Sequence, residues 1–455
     1  MAVMPHLLTQ AEILALPALP APAGDPIAAA CARMQGAGQW HPRQSLGRRF
    51  ATGCIALEVT QRCNLDCSLC YLSDSAEAIH DVPLAELLRR IAAIRAEFGP
   101  HTEVQVTGGD PTLRDRAELV AVVRAIAAAD LRASLFTNGI RATRDLLVEL
   151  AAAGLNDVAF HVDLTQGRAG YPTEAALNAV RRDYIERARG LPLAVVFNTT
   201  VFAGNVAEVP MLASFFRDHA AAVNLASFQL QAATGRGTLG SRAAPISKDS
   251  VAAALADGLG TRLRFDSLAV GHASCNRYGL ALIAAGRAHD LLDDPAVVAA
   301  MLEAMGTVPF DRVRPARRAG QIIARVLARP LHAARILPWA AAKLWAMRRD
   351  LVAARFRAAK LTFFIHDFMD AAALEPERIE ACAFLVATAE GPMSMCLHNA
   401  KREQMLLRPL PAAEGWWDPL TGETRAEPLQ PAPPPLTRKT AKGRRRIEID
   451  HRVRP

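Results

Sequence analysis

Six short apolar runs, separated by long stretches rich in Ala, Leu and Arg, constrain this chain more than any other feature. The runs begin near Ile55, Val104, Ala133, Val158, Ala194 and Ser227, and the spacing predicts helices over 84–98, 117–129, 144–153 and 174–189. A strand followed by a helix, repeated, means crossover connections and a parallel sheet. An α/β fold is expected, and six units, short of the eight that close a full barrel, fit an incomplete one. In such sheets the functional groups gather at the C-terminal ends of the strands.

The first of those ends carries Glu58-Val-Thr-Gln-Arg-Cys63-Asn-Leu-Asp-Cys67-Ser-Leu-Cys70-Tyr71. Thiolates are the soft ligands of iron–sulfur clusters, and C-x3-C-x2-C offers three of them from one loop. Three cysteines on a [4Fe–4S] cube leave one iron open to another ligand. A structural zinc site normally takes four protein ligands, and no fourth Cys or His stands at finger spacing. With Tyr71 closing the motif, the sequence resembles the radical S-adenosylmethionine (radical SAM) superfamily. That resemblance implies a (β/α)6 TIM-like partial barrel and a cluster on Cys63, Cys67 and Cys70. It further implies SAM chelated to the open iron and cleaved to a 5′-deoxyadenosyl radical, with an electron donor of flavodoxin or ferredoxin type.

Later strand ends add candidates. Thr107-Gly108-Gly109-Asp110-Pro111 reads as a strand running into a glycine turn, with Pro111 opening a helix. It resembles the family's Gly-Gly-Glu-Pro element, which meets the SAM amino group, but with Asp110 one methylene shorter than Glu. Thr137-Asn138-Gly139 resembles the strand that ends near the SAM ribose. Alternation in Val158–His161 and on to Asp163 puts His161 and Asp163 on one face, as candidates for substrate or proton handling. Asn198 and Gln229 end the next two strands. Arg236, beyond a glycine turn, is a candidate clamp for a carboxylate, against the plain reading of a surface arginine.

A second set, Cys275, Cys382 and Cys396, is scattered, and isolated cysteines are ordinarily buried inert thiols. Their surroundings, His272-Ala-Ser-Cys275, Glu380-Ala-Cys382 and Met395-Cys396-Leu-His398-Asn399, are polar and loop-like. The segment from Ile365-His-Asp-Phe-Met-Asp370 to Asn399, with the Phe228–Arg236 stretch, resembles the archaeal tetraether lipid synthase group of radical SAM enzymes. In that group such cysteines hold an auxiliary [4Fe–4S] cluster, which here would want a further ligand from Cys31, His272, His398 or substrate. The chain departs from that group in lacking a cysteine-rich N-terminal extension, since only Cys31 precedes residue 54.

Charge is regional. Of a net +8, residues 311–360 hold +11 and residues 437–455 hold +6, so the rest carries −9. At 100° per residue, Leu344, Trp345, Met347, Leu351, Val352 and Phe356 share an arc with basic residues opposite. That pattern suits either an anionic membrane surface or a solvated helix over the core. Aromatics are 5% and no nucleic-acid module is recognisable, so no nucleic-acid partner is expected. Neither a secretory signal nor an eighteen-residue apolar run is present, and eight cysteines in 455 residues form no disulfide framework. A cytoplasmic protein is expected, with room for peripheral contact on the inner membrane face.

The expected organisation is therefore a lead-in (1–51), a partial barrel (52–245), a helical extension with Cys275 (246–310) and basic amphipathic helices (311–360) broken at Pro330 and Pro338. A small auxiliary-cluster region (361–427) and a disordered basic tail (428–455) follow. The expected function is hydrogen abstraction from an unactivated carbon of a lipid-like substrate, leading to C–C bond formation, alkylation or methylation. The alternatives are radical SAM modification of a pterin or a peptide, and a non-enzymatic iron–sulfur protein binding membrane or nucleic acid. A pocket lined by acids and amides would favour a pterin over a lipid.

Overall fold

The computed structural model describes residues 6–22, 24–236, 246–305, 315–428, 436–440 and 443–447. Helices α1 (Gln10–Ala15) and α2 (Pro26–Gly36) lead into β1 (Cys54–Thr60). Strands and helices then alternate as α3 (Leu84–Phe98), β2 (Glu103–Gly108), α4 (Arg116–Ala128), β3 (Arg132–Thr137), α5 (Arg144–Ala153) and β4 (Leu155–His161). The run continues through α6 (Glu174–Ala188), β5 (Ala194–Val201), α7 (Val209–Asp218) and β6 (Leu225–Leu230). All six expected strands are present, starting within three residues of the expected positions. Asp115, Thr143 and Thr173 cap α4, α5 and α6 through their side-chain oxygens, each contributing about 1 kcal/mol.

Strands β1 to β6 pair in sequence order, all parallel. Their two-residue period separates two environments. Ile55, Leu57, Val104, Val106, Phe160, Phe197 and Phe228 point to the helices and meet Leu87, Ile91, Val122 and Leu147 in the main core. Each such side chain fully buried contributes roughly 1.5–3 kcal/mol. Residues in the other phase, among them Ala56, Glu58, Gln105, Thr107, Ala159, His161, Asn198 and Thr200, line a cavity of about 2120 Å³.

The second half departs from expectation. After α8 (Lys248–Leu259), the region expected to be helical carries a hairpin, β7 (Asn276–Ala284) and β8 (Arg287–Asp290), before α9 (Pro295–Met305). Short apolar runs such as Leu280–Ala284 do not distinguish helix from strand by period. Helix α10 (Pro315–Leu327) ends before Pro330 as expected, but α11 (Pro330–Ala353) runs through Pro338 unbroken. Then come β9 (Ala359–Asp367), α12 (Pro376–Glu380), β10 (Phe384–Thr388), β11 (Gly391–Ser394), α13 (Met395–Ala400) and α14 (Arg402–Leu406).

Strand β9 lies parallel to β6, and β10 lies parallel to β1. The sheet thus has eight parallel strands, with β7, β8 and β11 antiparallel at its edges. Six strands were expected, and the supposed C-terminal unit 361–427 supplies the other two. Of the tail expected to be disordered, residues 436–440 and 443–447 pair as a hairpin, and 429–435, 441–442 and 448–455 lie outside the described residues. No helix among the described residues is long and apolar enough to cross a membrane.

Candidate active site and a second cysteine cluster

The loop after β1 is stapled to the ends of four other strands. Gly109 N donates to Thr60 O and Asp110 N to Arg62 O, both at 2.8 Å, just past β2. Past β3, Asn138 Nδ2 donates to Asn64 Oδ1 at 2.7 Å. Past β4 and β6, Ser68 N donates to Thr165 O (2.8 Å) and Arg236 N to Leu72 O (3.1 Å). A Cβ on Gly108 would stand 2.0 Å from Thr60 O, and Gly108 sits at φ +124°, a conformation open to glycine and strained for other residues. On Gly235 (φ +53°) a Cβ would meet Tyr71 O at 2.3 Å. The sequence reading assigned Gly108 and Gly109 to the approach of a ligand; here their missing side chains admit the crossing cysteine loop.

Cys63 is buried, and Cys67 and Cys70 are partly buried. Burial pushes both Cys67 and Cys70 up, and Cys67 is raised further by Cys70, Asp163 and Cys63. Such thiols are protonated until a metal takes the proton's place. Arg236 and Arg402 act in the opposite sense at Cys70, and Asn138 Nδ2 lies 3.9 Å from Cys63 Sγ. Among the described residues, no three His, Cys, Asp or Glu side chains converge as one metal ion requires. A cube takes each thiolate on a different iron, so its donors stand farther apart. Three thiols on one loop, with the Arg236 and Arg402 guanidinium charge beside Cys70, fit that group; a lone zinc they do not fit.

The other candidates divide into two groups. Asp110 is fully buried, and its carboxylate accepts from Thr112 N (3.0 Å), Thr137 Oγ1 (2.8 Å) and Asn138 N (2.8 Å). With Thr112 Oγ1 also bonded, its acceptor sites are full. It ties the end of β2 to the end of β3, and Pro111 starts only a single 3₁₀ turn rather than an α-helix. Arg236 is likewise buried; it donates to Ser73 O and stands 3.7 Å from Asp66 and 3.8 Å from Glu77. It is a brace for the cysteine loop, where the sequence left the choice between a clamp and a surface residue. Gly108, Gly109, Asp110, Pro111, Thr137, Asn138 and Arg236 therefore brace the cysteine loop and the strand ends around it.

Cys70, Tyr71, His161, Asn198 and Gln229 line the cavity itself. His161 Nε2 lies 2.6 Å from Asp163 Oδ2 and 3.3 Å from Thr200 Oγ1. Burial alone would raise Asp163, but the His161 ring and hydrogen bonds from Thr165 and Thr200 hold it down to about 2. Asp163 thus fixes the orientation of a cavity-facing imidazole. Beside it in register, Asn198 is buried with its Nδ2 unbonded. Tyr71 Oη donates to Gly108 O at 2.5 Å, which makes the ring part of the floor.

The structure adds residues that the sequence reading had not named as candidates. Buried Arg402 of α14 meets Glu58 of β1 at 2.7 Å and 3.0 Å, with its guanidinium 4.7 Å over the Tyr71 ring. Burial would raise Glu58, yet Arg402, then His398 and the Arg402 and Gln61 hydrogen bonds, bring it down to about 2. On β9, His366 faces Gln229 across the sheet and is packed among Phe364, Phe368 and Phe384. Burial holds it neutral, down to about 3.

Cys275, Cys382 and Cys396 come together from the start of β7, the approach to β10 and α13. All three are buried. Burial raises Cys275 to about 11, opposed by Arg378, whose Nε donates to Cys275 Sγ at 3.4 Å; Cys382 raises it further. Cys396 is pushed up by burial and then by Cys382 and Cys275, and it accepts from Met369 N at 3.4 Å. His398 sits instead beside Glu58 and Arg402. Cys31 packs under Gly47.

Residues 57–208 match the model of the radical SAM superfamily. That stretch is similar to a radical SAM core. The matched stretch holds the cysteine loop and the first five strands, and the family uses a [4Fe–4S] cluster and SAM. A 7,8-dihydro-6-hydroxymethylpterin dimethyltransferase of Methanocaldococcus jannaschii is 28% identical over 189 residues, 40% of this chain and 36% of that protein. A PqqA peptide cyclase of Xanthomonas oryzae pv. oryzae is 31% identical over 161 residues, 34% of this chain and 42% of that protein. The chain thus spans about two fifths or less of the curated relatives' lengths. Streptococcus suis SuiB, solved with its precursor peptide SuiA, covers 46% of this chain and 44% of its own at 13% identity and a TM-score of 0.34, too weak a likeness to build on. The resemblance to tetraether lipid synthases has no counterpart in these matches.

Proposed function

We propose that this is a radical SAM enzyme that removes hydrogen from an unactivated carbon of an extended, largely apolar substrate. The reading rests on the cavity. Ligand pockets for small molecules run to about 300–1,000 Å³, and this one has about 2120 Å³. Its lining joins Cys70, Tyr71 and a polar set, Glu58, Glu103, Gln105, Asp157, His161, Asn198 and Gln229, to an apolar set of Val196, Leu225, Leu280 and Ile283 with Met301, Leu302 and Ile322 of α9 and α10. A long chain suits that lining: its reacting carbon would sit at the polar set, and its remainder along the apolar one. The names of the curated relatives favour a second reading, a pterin or a peptide, with the polar set as its seat.

Cys63, Cys67 and Cys70 would hold the cluster, which with SAM supplies a 5′-deoxyadenosyl radical. The chain's own work is to orient and to exclude water. Asp163 holds His161 toward the substrate; Glu58 and Arg402 fix Tyr71 beside Cys70. We assign Cys275, Cys382 and Cys396 to an auxiliary [4Fe–4S] cluster, supported by three buried thiols that sense one another and by the Arg378 guanidinium on Cys275.

Anaerobically reconstituted protein, given a strong reductant, should release 5′-deoxyadenosine from SAM, and Cys67→Ala should not. Offered perdeuterated membrane lipids, it should place deuterium in 5′-deoxyadenosine. Deuterium transfer from a pterin or a peptide but not from lipid would refute the substrate reading, and no SAM cleavage by iron-loaded protein would refute the enzyme.

A further inference from the structure

Helix α11 is apolar on two opposite faces, and only one of them is covered among the described residues. Its inner face places Ala333 and Ile336 against Val297 and Ala300 of α9, and Met347 is buried farther along. Asp350 also turns inward, 2.9 Å from His289 of β8. On the other side Leu331, Pro338, Trp345 and Val352 recur every seventh residue, a drift of only about 20° per step. Leu331 is 87% exposed, Trp345 69% and Val352 63%, and Phe356, beyond the helix end, is 76% exposed. Eight of the fifteen exposed large apolar side chains among the described residues fall between Ile323 and Phe356. A helix that is apolar all round is normally buried all round, so this face lacks its cover.

The charge on the same surface identifies the cover. Arg325, Arg335, Arg348, Arg349, Arg355 and Arg357 are exposed, and residues 315–360 contain no acid except the inward-turned Asp350. Lys343 pairs with Asp293, and His332 Nε2 lies 3.2 Å from Glu303 Oε2, both on the covered side. The Arg348 guanidinium lies 4.1 Å over the Trp345 ring, which places an aromatic and a cation at one depth. A second copy of the chain would set arginine against arginine. Nucleic acid would use the arginines but leave Trp345, Val352 and Leu331 in water. An anionic bilayer surface takes both, apolar side chains in the acyl boundary and guanidinium groups among the headgroups.

We propose that the outer face of α10 and α11 docks peripherally on an anionic lipid bilayer, with Trp345 and Val352 inserted and Arg348 and Arg349 at the headgroups. This deepens the lipid-substrate reading, because the apolar part of the cavity lining reaches α9 and α10. It is tested without any substrate. Full-length protein should float with vesicles of phosphatidylcholine and phosphatidylserine, far less with phosphatidylcholine alone, and less as salt rises. Arg348→Gln with Arg349→Gln should weaken the partition roughly fivefold for each charge removed. Trp345→Ala with Val352→Ala should weaken it by about tenfold, while iron content and circular dichroism stay unchanged. Binding that ignores both pairs of substitutions would overturn the proposal. So would a dimer in solution that dissociates in the Trp345 variant, or tighter binding to a DNA fragment that is insensitive to Trp345. Vesicle binding without deuterium transfer from lipid would leave the docking face standing and remove only the substrate.

Discussion

Removing Arg402 should loosen the site more than any surface charge could, and the size of the effect follows from where Glu58 sits. Glu58 is buried on β1, with Arg402 as its only cationic hydrogen-bond partner among the described residues. Its carboxyl is depressed from 4.5 to about 2 in spite of burial, a shift worth about 3 kcal/mol. Breaking a buried pair by deleting one partner typically costs about 3–5 kcal/mol, whereas removing both is often close to neutral. Arg402→Met should therefore lower stability by roughly 3 kcal/mol, Glu58→Gln by somewhat less, and the double variant by less than the first alone. The assay is anaerobic urea unfolding of the iron-loaded protein, read as a double-mutant cycle. The sign of the pH effect is set by a depressed carboxylate. Its contribution is fully present above about pH 4.5 and is lost only as pH falls through about 2, so the coupling should be equal at pH 6 and pH 8. Strictly additive single effects, or a coupling that changes between those two pH values, would refute the account of Glu58 as a buried, paired anion.

Gly108→Ala should leave β1 and β2 paired but sharply reduce iron loading, since its Cβ would strike Thr60 O; full iron content would show the loop can yield. Replacing Cys275, Cys382 and Cys396 by Ala together should remove about one cube's worth of iron per chain and leave the Cys63-type signal in electron paramagnetic resonance. Unchanged iron would exclude the auxiliary site. His161→Gln should preserve uncoupled SAM cleavage while slowing product formation, and equal losses in both would move His161 out of the substrate's reach. Phe197→Ala, inside the main core, should cost about 3–5 kcal/mol in the urea midpoint.

What could be read in advance was what lies close together in the chain. Each β–α unit announces itself within some thirty residues, through a two-residue period and then an Ala-rich helix, which is why β1 to β6 appear where they were expected. The three cysteines of one loop are equally local. Strands β9 and β10 were read as a separate unit because after β6 the chain adds the antiparallel hairpin β7–β8 at the sheet edge and runs parallel to β6 again only from residue 359; a parallel strand needs only a crossover, and nothing in its own residues records how long that crossover is.

Side-chain direction was the other limit. The Gly-Gly-Asp-Pro turn was found at the right strand end, but whether its carboxylate faces cavity or wall depends on Thr112, Thr137 and Asn138, two of which belong to the next unit. Glu58 lay in full view beside the cysteines, yet the arginine that decides its charge stands 344 positions away. The site therefore draws on two distant parts of the chain. Local sequence builds the strand ends and the cysteine loop, and the C-terminal segment lies against them with Arg402 and the Cys382–Cys396 elements. Were Arg402 removed, Glu58 would be left as a buried charge next to Cys70 and Tyr71, so a lesion in the last elements of the fold should register first at the first cluster.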